Sequence, residues 1–162
     1  MESTTWKEKA IYCLKTYVPL QTAAKNLSHA IQELEYDIEN FETLASPVIR
    51  LDPVQSNALP SDVIGRQVVA KKERLQQLQI TFRLTLNELK YTTRALLSLT
   101  AEENCYLELF YMKRKDNACE IIRKKDHVSV STVQRRKLLA LQRFALARFG
   151  YIHPDELNQE FC

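Results

Sequence analysis

Three runs of adjacent cations are the residues best suited to do chemistry: Lys113-Arg114-Lys115, Arg123-Lys124-Lys125 and Arg135-Arg136-Lys137, ten and twelve residues apart. Residues 111–148 hold eleven Lys/Arg against three Asp/Glu, a local charge of +8. The rest of the chain holds twelve against seventeen, or −5, which is why the net charge is only +3. A basic block on an otherwise acidic chain attracts a polyanion while the remaining surface repels it, and nucleic acid is the polyanion this favours. Lysine and arginine also serve simply to solvate the outer faces of helices. Here each triplet falls on a different element, so one solvated face does not account for all three.

The elements that must hold these cations are helices. Only two glycines occur in 162 residues, Gly65 and Gly150, too few for the tight turns of an all-β fold or for a glycine-rich phosphate loop. Thr100-Ala-Glu-Glu103 is a capping box opening a helix whose apolar body includes Tyr106, Leu107, Leu109, Phe110 and Met112. Asn117 is an N-cap candidate for a short helix to about Lys125, and Asp126-His127-Val128 reads as the following turn. Ser129 then caps a long terminal helix with good helix formers through its body, and Gly150 stops it.

Upstream, Thr4 or Thr5 can cap a first helix to about Tyr17, with Pro19 marking its end. Leu20, Ala24, Leu27, Ile31, Leu34, Ile38 and Phe41 follow at alternating spacings of four and three, a heptad seam. Residues 46–61, with Pro47, Pro53 and Pro60, read as a loop. Ser61 is the N-cap candidate for a helix reaching about Leu99, in which Val68, Leu75, Phe82, Leu89 and Leu96 recur every seven residues. Folding the two seams together gives an antiparallel hairpin; an intermolecular coiled coil competes with it. The expected fold is therefore all-α: an N-terminal helical region over 1–99, a helix-turn-helix over 100–149 and a tail over 150–162.

Ser129, Val133, Ala140 and Phe144 occupy the cap, +4, +11 and +15 positions of the pattern S-x-x-x-V-x-x-x-x-x-x-A-x-x-x-(L/F), which marks the last helix-turn-helix of bacterial sigma factors. With the hairpin, the proline-containing loop and the long helix upstream, the chain resembles the sigma-like phage transcriptional regulators of the ArpU and RinA type, which control late or packaging genes. The layout is shared over residues 20–148 and the motif over 100–148. Ile122 matches the pattern seven residues before Ser129. Arg123 stands where the family has a small residue, Asp126 where it has leucine and His127 where it has the turn glycine.

The resemblance implies sequence-specific binding of double-stranded DNA. By position, Val130, Ser131, Gln134 and Arg135 would face base edges in the major groove, Arg135 suited to guanine and Gln134 to adenine. Lys113, Arg114, Lys115, Arg123, Lys124, Lys125 and Lys137 would contact phosphates. The N-terminal helices would supply a homodimer contact or a contact to RNA polymerase. The competing reading, kept open by Arg123, Asp126 and His127, is a helical adaptor or antagonist that uses a degenerate helix-turn-helix to bind protein.

No enzymatic site is expected. His29, His127 and His153 lie in no nucleophile or metal-ligand motif, and Cys13, Cys105, Cys119 and Cys162 form no CxxC pair, so neither a metal nor another cofactor is implied. Glu33, Glu35, Asp37, Glu39 and Glu42 line one helix as a solvated acidic face, with a partner surface as the alternative. The polar, mixed-charge residues 1–9 and the lack of a long apolar run point to a cytoplasmic protein with no membrane segment.

Overall fold

In the computed structural model, residues 5–45 and 61–150 are described, the side chains of 41–45 and 61–64 excepted. The loop expected over 46–61 therefore lies almost wholly outside them, as do the tail, His153 and Cys162. The described residues form α1 (Trp6–Ala45), α2 (Ser61–Leu97), α3 (Ala101–Leu107), α4 (Ala118–Asp126) and α5 (Val130–Phe149), with no strand among them. No helix is long and apolar enough to cross a membrane.

The first two expected helices are one. α1 runs through Pro19 without a break, although an interior proline removes a backbone hydrogen bond and costs about 3 kcal/mol. The apolar stripe explains this. Ala10, Leu14 and Tyr17 before the proline and Ala24, Leu27 and Ile31 after it stay in helical phase, so ending the helix at Pro19 would have thrown the two halves of the stripe out of register. α2 keeps the seven-residue repeat as predicted: Val68, Leu75, Phe82 and Leu89 are each less exposed than both neighbours in sequence, and at Leu96 the burial is shared with Ala95.

The described residues fall into two units, one of 23–86 and one of 5–22 with 87–150. The first is a helical hairpin. Lys71 Nζ reaches Asp37 Oδ2 at 2.8 Å and Gln79 Nε2 donates to Glu35 Oε1 at 3.3 Å. Residue numbers rise on one helix as they fall on the other, and Ala24, Ile31 and Ile38 are buried along the seam.

The second unit holds the C-terminal helices, and its boundary differs from the one drawn at residue 99. Trp6, Ala10 and Leu14 of α1 and Ala95 of α2 share one core with Leu107 of α3 and with Ala140, Leu141, Phe144 and Ala145 of α5. Tyr17 Oη and Thr93 Oγ1, 3.0 Å apart, add a polar tie between the two long helices. Three short C-terminal helices bury little surface alone, and residues from α1 and α2 supply the missing apolar wall.

The capping box forms as expected. Glu103 N–H donates to Thr100 Oγ1 at 3.3 Å, and Thr100 N–H donates to the Glu103 carboxylate at 2.9 Å. Burial opposes the Glu103 carboxylate. The Thr100 hydrogen bonds and Arg143 outweigh it and hold its pKa below the usual range. Beyond Leu107 the helix widens into a π-helical turn over Glu108–Met112, closed by Lys113 N–H on Glu108 O at 2.7 Å. Arg114 then takes a left-handed backbone, φ 47°. Asn117 holds the N-cap position of α4 but makes no side-chain cap; Ala118 N–H is satisfied by Lys115 O at 3.0 Å instead.

Candidate nucleic-acid interface

Helices α3, α4 and α5 share a small core of their own, in which Tyr106 of α3, Ile122 of α4 and Val133 of α5 are buried against Leu109, Phe110, Cys119 and Val128. The turn between α4 and α5 ends α4 on His127, with φ 52°. A residue with a Cβ is strained there by roughly 1–2 kcal/mol relative to glycine. His127→Gly is expected to gain about 0.5–1 kcal/mol after the added unfolded-state entropy of glycine is counted. A urea midpoint that falls or stays still would contradict this.

Ser129 starts α5 as an N-cap. Its backbone is extended, and Oγ accepts from Thr132 N–H at 3.2 Å. Ser129 Oγ also lies 2.9 Å from both Ser131 Oγ and Thr132 Oγ1. Once α5 begins here, helical periodicity decides which residues point where. Val133, Ala140, Leu141, Phe144 and Ala145 are buried, whereas Val130, Ser131, Gln134 and Arg135 are exposed. The first turn of α5 carries no acidic side chain, so its uncapped N–H groups and the positive end of its dipole meet no carboxylate of their own helix.

Asp126 occupies a position where an apolar contact was expected, and the structure shows what it does. Tyr106 Oη donates to Asp126 Oδ2 at 3.0 Å, and Arg136 Nη1 lies 3.7 Å from the same oxygen. One carboxylate thus ties α3, the end of α4 and the second turn of α5. Burial raises the Tyr106 hydroxyl pKa, with Arg136 opposing and Asp126 reinforcing the shift. This three-residue link was not found from sequence; the only signal was a carboxylate at a position that usually takes leucine.

The eleven cations of 111–148 separate into two sets. Lys113 pairs with Glu108 at 2.8 Å, Arg136 with Asp126, Arg143 with Glu103, and Arg148 with Glu88 at 2.5 Å. The Glu108 carboxylate holds the Lys113 pKa up. Lys137 is half-buried with Nζ 4.9 Å from the Phe110 ring centroid, and burial lowers its pKa. The other six, Arg114, Lys115, Arg123, Lys124, Lys125 and Arg135, are exposed and make no ion pair with any described residue.

Of the expected phosphate contacts, Lys113 and Lys137 are thus engaged internally and five stand free. Arg123, Lys124 and Lys125 fill the last turn of α4, where each cation gains about 0.3–1 kcal/mol from the helix dipole. That end effect favours cations but does not require three side by side with no counterion among the described residues. Arg114 and Lys115 leave the π-helical turn before α4, and Arg135 stands beside Gln134 near the start of α5. Within residues 111–148, the cations without a described partner therefore lie on the elements that precede and open α5.

No protein-family model matches the chain, and no curated protein or solved structure matches it.

Proposed function

We propose that the chain binds duplex DNA sequence-specifically through α4, the His127 turn and α5, as a transcriptional regulator of phage or prophage genes. Val130, Ser131, Gln134 and Arg135 read base edges; Arg114, Lys115, Arg123, Lys124 and Lys125 hold phosphates. The observation that carries this reading is the sorting of charge. Within residues 111–148, Arg143 and Arg148 towards the far end of α5 pair with carboxylates of their own chain, whereas Arg114, Lys115, Arg123, Lys124, Lys125 and Arg135 cluster about its start and pair with no described residue. An unpaired exposed cation contributes little to folding. It contributes much to a polyanion complex, because each phosphate it neutralises releases a condensed counterion.

Titration of the whole chain against duplex DNA over a range of salt concentrations tests the proposal. Five phosphate contacts at about 0.9 each predict that log affinity falls against log salt with a slope between about −4 and −5. Replacing Arg123, Lys124 and Lys125 together by alanine should flatten that slope by about 2–3. Absence of duplex binding even at low salt would sink the reading in favour of a protein-binding adaptor.

A further inference from the structure

The hairpin of residues 23–86 leaves its own seam half open. Ala24, Ile31 and Ile38 are buried, but Leu27 and Leu34 on α1 and Leu75, Leu78 and Phe82 on α2 stay half-exposed. Two helices lying side by side cover only the strip between their axes, and a core-facing stripe at least about 100° wide shows on the flanks. One flank is a shallow cavity of about 190 Å³ between the helices, lined by Ala30, Glu33, Leu34, Asp37, Arg74 and Leu78.

The leucines give this flank an apolar floor, and its rim carries both signs of charge. Asp37 is committed to Lys71 of its own hairpin. Glu33 on α1 and Arg74 on α2 are exposed and have no partner among the described residues. A surface with one free acid and one free base on opposite helices is self-complementary: a twofold rotation sets each Glu33 toward the Arg74 of the other copy, and the two contacts come as a pair.

We infer that this flank binds a second copy of the same chain, two hairpins closing into an antiparallel four-helix bundle. The stretch from Ala23 to Ile38 is about 24 Å long at 1.5 Å per residue. With a width of about two interaxial spacings, ~20 Å, each copy covers roughly 500 Å². The total of about 1,000 Å² stands at the lower bound for a specific interface, so a reversible dimer with a Kd in the micromolar range is expected rather than a permanent one.

Sedimentation equilibrium of the full chain without DNA tests this, over concentrations from about 1 to 200 µM, a span that brackets a micromolar Kd. A reversible rise towards twice the chain mass is expected. Glu33→Arg and Arg74→Glu should each raise the dissociation constant about tenfold or more, because the twofold repeats every like-charge contact. The double variant should return it to within about threefold of the parent. Far-UV circular dichroism checks that all variants keep their helices. A chain that stays monomeric throughout overturns the inference. So does a dimer that neither swap weakens, or one that the double variant fails to restore. No DNA is present, so these outcomes leave the proposed DNA reading untouched.

Discussion

Phe144→Ala should lower the stability of the C-terminal unit by about 3–5 kcal/mol, the range for truncating a fully enclosed aromatic. Phe144 has no exposed surface and packs among Trp6, Leu14, Leu107 and Leu141, which come from α1, α3 and α5. These side chains are themselves enclosed by three helices, which limits how far they can relax into the space. Against a typical total of about 5–15 kcal/mol, the loss would take at least about a fifth of the stability of this unit. The chain supplies its own reporter: its single tryptophan, Trp6, lies in the same cluster and is 6% exposed. The midpoint of urea unfolding followed by tryptophan fluorescence should fall with little change in slope. A loss below about 1 kcal/mol, the level of a partly exposed site, would mean that this core is looser than its burial indicates.

That core shows where sequence reasoning reaches and where it stops. The heptad repeat from Val68 to Leu96 and the capping box at Thr100 were legible because each is a local rule: a period in one case, a four-residue hydrogen-bond pair in the other. Ser129 as the cap of α5 and Gly150 as its stop were legible for the same reason. Pro19 was misread because its cost is local while its compensation is not. Nothing near the proline says that Trp6, Ala10 and Leu14 will be needed in a core with α5, more than a hundred residues away. Asn117 is the converse case. The cap position was right, but the π-helical turn before it brings Lys115 O to the first amide of α4, and the side chain is left without that task.

At the candidate interface, the sequence located the charge but not its state. Arg143 is neutralised by Glu103 forty residues earlier and Arg148 by Glu88 sixty residues earlier. Such pairings are set by packing and cannot be counted along a chain. Within the third triplet, adjacent residues meet different fates: Arg135 is free, Arg136 faces Asp126, and Lys137 lies on Phe110. Successive residues of a helix point about 100° apart, so a run of three cations cannot act as a unit. The departures at Asp126 and His127 were visible as departures. Their compensation, a polar tie to Tyr106 and a left-handed backbone, required coordinates.

The separation of Arg135 from its neighbours gives the second large prediction a defined form. Arg135→Ala should cost about 1–3 kcal/mol, or roughly five- to 150-fold in affinity, on the preferred duplex and should relax discrimination at one base pair. On random-sequence DNA, the change should be small, because the five free lysines and arginines that would hold phosphates remain. Stability should hardly move, since Arg135 is exposed and makes no ion pair with a described residue. Lys124→Ala should do the reverse, weakening preferred and random duplexes alike and reducing the salt slope by about one. Fluorescence anisotropy of a duplex selected from genomic fragments, compared with single-base variants of it, measures both. Equal losses for Arg135→Ala on selected and random DNA would make this guanidinium another phosphate contact. The reading of sequence would then have to rest on Gln134 and Ser131, whose shorter side chains line the same exposed start of α5.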